Sequence, residues 1–107
     1  MMQDWLRELE DASNIRTDAD ANKFIHVITK LNDDIDLVQK EDFIELFKVD
    51  IGYIPVMVLN KFIFDFESLH NLIKSMPFQT DIDTRMLCQL QRFTDHLKKG
   101  RNLLYEL

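Results

Sequence analysis

The densest apolar stretch of the chain runs from Ile54 to Met76 (IPVMVLNKFIFDFESLHNLIKSM), and Pro77 closes it. Between Ile54 and Phe66 the only polar positions are Asn60, Lys61 and Asp65, apart from Pro55. Val58, Phe62, Phe66, Leu69 and Ile73 recur at helical spacing, which predicts a hydrophobic central helix. Pro55 suits its first turn, where a missing N–H leaves no bond unmade. Pro77 stops it at or before Met76. Phe62, Phe64 and Phe66 also alternate with the period of a strand. The alternative is therefore an α+β chain with a short hairpin over 56–66, turning at Asn60-Lys61.

The remaining pattern predicts four more helices. Trp5, Leu9 and Ala12, with Met2 and Leu6 beside them, make one amphipathic helix over 2–12. Thr17-x-x-Asp20 resembles a capping box and opens a second helix to about Leu31, with Phe24, Ile28 and Leu31 on one face. Asn32-Asp33-Asp34 reads as a turn, and Asp36 as the cap of a third helix to about Val49, ended by Gly52. Leu37, Ile44 and Phe47 are its core side, joined by Phe43 and Leu46. Thr80-x-x-Asp83 is a further candidate cap. The last helix carries the most regular stripe, Met86, Leu90, Phe93, Leu97, Gly100 and Leu104. Beside it runs a polar flank of Arg85, Gln89, Arg92, His96 and Lys99. Gly100 either ends this helix or lets another helix approach closely. The expected fold is all-α, one domain over 1–107, about five helices around the hydrophobic central one.

Composition supports that class. The 107 residues are 46% apolar and 30% charged, with two Gly and two Pro, which is little turn punctuation for a β-sandwich. A lone cysteine, Cys88, makes no internal disulfide. The first residues lack the apolar run of a signal peptide. No run reaches the ~18 uninterrupted apolar residues of a membrane span. The expected setting is a reducing cytoplasm without membrane contact, although an effector exported by another route would look the same.

Charge adds an asymmetry. The net charge is −6. Residues 1–50 carry 13 acids and six bases, whereas residues 51–107 carry six acids and seven bases. An acidic half disfavours direct nucleic-acid binding, which draws its affinity from phosphate neutralisation. It favours a partner with a basic surface.

The chain carries few of the residue patterns that chemistry requires. Asp18, Asp20 and Asn22 alternate like the start of a calcium loop, but Lys23 and Thr29 stand where that loop needs Gly and Glu. Helix capping explains those acids. His26, His70 and His96 have no zinc-type spacing. His26 and His96 fall on polar faces and read as exposed, and His70 reads as half-buried at the edge of the central stripe. Cys88 points off the last stripe and reads as a packing residue or an idle thiol. With only Gly52 and Gly100, glycine-rich phosphate cradles are excluded. Phe43 to Lys61 loosely follows a helix-turn-helix, yet Val56-Met57-Val58-Leu59 offers no base-reading side chain. No catalytic, cofactor-binding or metal-binding residue is assigned, and no enzyme activity is expected.

The strongest remaining signal is Asp33, Asp34, Asp36, Glu41, Asp42 and Glu45, six acids within 13 residues. They read as a solvated face, as the docking surface for a basic partner, or as an internal counterpart of the basic flank of the last helix. The leading expectation is a non-enzymatic protein-binding module, a small acidic adaptor or inhibitor of the immunity, anti-defence, antitoxin or chaperone type. One alternative is a homo-oligomeric structural or regulatory protein, a homodimer burying surplus aromatics of Phe62, Phe64 and Phe66. Another is a DNA-mimic inhibitor of a nucleic-acid-binding protein.

Overall fold

A computed structural model describes residues 2–43, 45, 48–49, 52–53, 56–77 and 79–106, with the backbone alone at 2–6, 40–41, 48–49, 52–53, 56 and 104. The chain is all-α. Its long helices are α1 (Met2–Ala12), α2 (Asp18–Asp36), α4 (Val56–Lys74) and α5 (Asp81–Tyr105). A four-residue helix α3 (Lys40–Phe43) follows α2. Strands β1 (Lys48–Val49) and β2 (Gly52–Tyr53) pair antiparallel, Lys48 with Tyr53 and Val49 with Gly52. The bundle measures 43 × 22 × 21 Å.

Both candidate caps form. Asp20 N–H donates to Thr17 Oγ1 (3.1 Å), and Thr17 N–H donates to Asp20 Oδ2 (3.2 Å). Thr80 and Asp83 exchange the same two bonds at 3.0 and 3.2 Å. Each box satisfies donors that a helix start leaves unpaired. Arg16 N–H also donates to Asp20, and this bond is the main cause that holds the Asp20 carboxyl below its ordinary range.

The expected turn at Asn32-Asp33-Asp34 is helix instead, and Asp36 ends α2 rather than capping a third helix. The reason is tertiary. Phe24, Ile28, Leu31 and Ile35 continue one buried stripe, and Asn32 beside them is wholly buried. Packing that face against α5 outweighs the weak helix preference of Asn and Asp. Helix α2 closes only where Leu37 and Val38 N–H bond back to Asp34 and Ile35 carbonyls. Gly52 therefore lies in the β1–β2 ladder, not past a helix end. Leu37, meant for the core side of the third helix, is exposed. Ile44, Leu46, Phe47 and Pro55, and the side chains of Met2, Trp5, Leu6, Glu41 and Leu104, lie outside the described residues.

A hairpin over 56–66 is also overturned, because α4 is continuous there. The phenylalanine alternation has a helical explanation. Phe62 and Phe66, one turn apart, stack at 6.0 Å, and Phe66 meets Phe93 of α5 edge-on at 5.6 Å. Phe64 points the other way, into solvent. The inner face of α4 is Leu59, Ile63, Phe66 and Ile73, with Phe62 and Leu69 partly buried, whereas Val58 of the expected stripe is exposed.

The bundle is centred on α5 rather than on α4. Helices α2 and α4 each pack against α5, and α1 packs against α2. The stripe of α5 is inside as its pattern predicts: Met86, Leu90, Phe93 and Leu97 are buried. Gly100 is buried within the helix and does not end it. Polar ties run both ways from α5. Arg85 Nη2 donates to Asn22 Oδ1 on α2 (2.9 Å). Lys98 pairs with Glu67 at 2.5 Å, and Arg101 Nη1 donates to Asn60 Oδ1 at 3.0 Å, both on α4. Helix α4 is not wrapped on all sides; its apolar residues divide between a buried face and an exposed one.

Candidate functional site

The polar flank of α5 meets the C-terminal half of α2 in one connected network. At its inner end Asn32 Nδ2 donates to the Gln89 carbonyl and to Gln89 Oε1, each at 3.0 Å. Gln89 Oε1 also accepts from Arg92 Nη1 at 2.9 Å. Arg92 Nη2 then reaches Asp36 Oδ2 (2.5 Å) and Asp33 Oδ1 (3.2 Å). His96 Nε2 stands 3.1 Å from Asp36 Oδ1. Helical spacing builds the network. Residues 32, 33 and 36 share one side of α2, and 89, 92 and 96 share one side of α5.

Burial grades along the network. Asn32 is fully enclosed, and among the described residues its Oδ1 has no hydrogen-bond partner. The Asp33 and Asp36 side chains keep 63% and 49% of their exposure. Arg92 therefore fixes the two carboxylates in place while leaving both open to solvent. Bonds from Asp36 first, then Asp33, hold the Arg92 guanidinium firmly protonated.

His96 departs from the exposed position its sequence suggests. Its side chain is 18% exposed. Its ring lies 6.4 Å from that of the buried Phe43, over which Lys99 Nζ sits at 4.7 Å. Burial pushes the His96 pKa down, opposed by Asp36 and reinforced by the neighbouring Arg92 and Lys99. A neutral ring makes the Asp36 contact as an Nε2–H donor.

Of the six candidate acids, Asp33 and Asp36 are thus engaged by α5, the internal arrangement anticipated for the basic flank. Asp34 is half-buried, and Asp42 and Glu45 are exposed on the segment that follows α2. Glu41 lies in α3 with its side chain outside the described residues. His26 and Cys88 are exposed and His70 is half-buried, as their positions suggested. Among the described residues no group of three or more His, Cys, Asp or Glu is placed to hold a metal ion. No described helix is long and apolar enough to cross a membrane.

Two other features stand out. A shallow polar groove of about 270 Å³ lies between α4 and α5, lined by Glu67, His70, Asn71, Gln91, Thr94 and Lys98 among others. On the outer side of α4, Met57, Phe64 and Leu72 are exposed. That outer stripe was legible as apolar residues left over once one helical face had been chosen. The Asn32–Gln89 link had no signal, because a buried Asn looks in sequence like a turn. Comparison with protein-family models, with curated protein sequences and with solved structures gives no match.

Proposed function

We propose that the chain is a non-enzymatic protein-binding module, a small acidic adaptor or inhibitor that docks a protein partner with a basic surface. The supporting observation is the half-open state of the α2 carboxylates. Arg92 positions Asp33 and Asp36, yet about half or more of each side chain faces solvent. One guanidinium stands against two carboxylates, and His96 is held toward neutrality. Exposed Asp42 and half-buried Asp34 lie nearby in the chain and add carboxylates to those two. Fixed, partly solvated carboxylates suit electrostatic steering and rim contacts, because they are held in place before the partner arrives.

The test uses Asp33→Asn, Asp34→Asn and Asp42→Asn together, which removes one of the two positioned carboxylates and keeps Asp36 on Arg92. A charge-matched control carries Glu8→Gln, Glu10→Gln and Asp11→Asn on α1. Proteins captured from the native host by the immobilised wild type are compared across both variants at low and high salt. The expected result is a salt-sensitive partner lost by the first variant and kept by the second. Equal capture by both would overturn the acidic-docking reading.

A further inference from the structure

Helix α4 presents two apolar faces on opposite sides. Leu59, Ile63, Phe66 and Ile73 face inward. Met57, Phe64 and Leu72 face outward at 80%, 70% and 60% exposure, with exposed Lys61 and Ser68 between them. The outer stripe runs over 16 residues, Met57 to Leu72, roughly 22 Å of helix. Single exposed apolar side chains need no explanation, but three large ones aligned on one helix face form a candidate contact surface.

We infer that this face is a homodimer interface, in which α4 packs antiparallel on α4 of a second copy around a two-fold axis at Phe64. The spacing is self-complementary. Met57 lies seven residues before Phe64 and Leu72 eight residues after it. A two-fold axis at Phe64 sets Phe64 against itself and each Met57 against the other copy's Leu72, the isologous pattern of a closed dimer. Charge agrees with the antiparallel arrangement. Lys61 and Asp65 are both exposed and, among the described residues, in no ion pair. In the dimer each Lys61 is offset from the other copy's Asp65 by two residues, about 3 Å along the helix axis, so the two charges pair across the rim.

Area fits a modest dimer. The three side chains expose roughly 400 Å² per copy, and the polar rim of Lys61, Asp65 and Ser68 adds to it, which places the interface at or below the about 800 Å² per partner of a standard one. The inference uses the face of α4, not the acidic end of α2, so each can fail without the other.

Sedimentation equilibrium of the full chain from about 1 to about 300 µM tests it. The expected mass rises from 12.8 kDa toward twice that value with concentration. Phe64→Glu should weaken the dimer at least about 30-fold, as loss of a central anchor does. Leu37→Glu, at an equally exposed site off α4, should change nothing. Lys61→Asp should weaken the dimer, and adding Asp65→Lys should restore it. As a second measurement, Phe64→Cys in a Cys88→Ser background should form a disulfide-linked dimer on mild oxidation. A monomer across the whole range without cross-linking, or a dimer indifferent to Phe64→Glu, overturns the inference. A monomeric wild type whose Phe64→Glu variant loses a different protein would assign the face to that protein and also overturn it.

Discussion

Replacing Arg92 by Met tests whether the α2–α5 network holds the bundle together or only decorates it. Methionine keeps most of the apolar stem and removes the guanidinium. Three contacts go: those to Asp36 Oδ2 at 2.5 Å, to Asp33 Oδ1 at 3.2 Å and to Gln89 Oε1 at 2.9 Å. Both carboxylates are about half exposed or more, so solvent screening limits each ion pair to about 0.5 kcal/mol. The less exposed bond to Gln89 contributes about 0.5–1 kcal/mol. Asp33 and Asp36 also lose the cation between them. The sum is a destabilisation of about 1–2 kcal/mol, or a fall in Tm of about 4–8 °C for a domain of this size. Urea unfolding followed by far-UV circular dichroism measures it, with Asp36→Asn as the partner in a double-mutant cycle. The cycle should show coupling of about 0.5 kcal/mol. Destabilisation below about 0.3 kcal/mol without coupling would refute the reasoning, placing the guanidinium in solvent rather than between the helices.

Other outcomes follow from the same structure. The His96 pKa is lowered on folding, so as pH falls the unfolded chain takes up its proton first. Stability conferred by the neutral ring is complete above the ordinary histidine pKa of about 6.5 and is lost as pH falls toward the depressed folded value. Urea midpoints between neutral pH and about 5 should show this decline, and His96→Gln should flatten it. Phe93→Ala removes a fully buried ring that meets Phe66 edge-on, and it should cost about 3–5 kcal/mol in the same unfolding assay. Thr17→Ala removes the oxygen that caps Asp20 N–H, and should cost about 1 kcal/mol with faster hydrogen exchange in the first turn of α2.

The legible parts of the fold are those where local chemistry and packing agree. Thr17-Asp20 and Thr80-Asp83 are self-contained caps, and each forms as its spacing predicts. The α5 stripe is regular enough to fix its buried face without knowledge of neighbours. The structure departs from the sequence pattern where a residue type means one thing locally and another in contact. Asn32-Asp33-Asp34 has turn composition, but Gln89 and Arg92 supply partners from 57 and 59 residues away that make helix the better state. No local window contains that information. The apolar richness of α4 suggested a helix enclosed on all sides, whereas its residues divide between a face toward α5 and a face toward solvent. The acidic segment was visible as charge, but not that Arg92 would hold Asp33 and Asp36, because that depends on the α2–α5 register.

The claim that the acidic end of α2 is the docking surface is tested most directly by hydrogen exchange of the chain with and without its captured partner. Slowed exchange is expected across 33–45, with the outer face of α4 and the groove between α4 and α5 unchanged at stoichiometric partner. Slowing confined to α1, or to the α4–α5 groove beside Glu67 and His70, would contradict it.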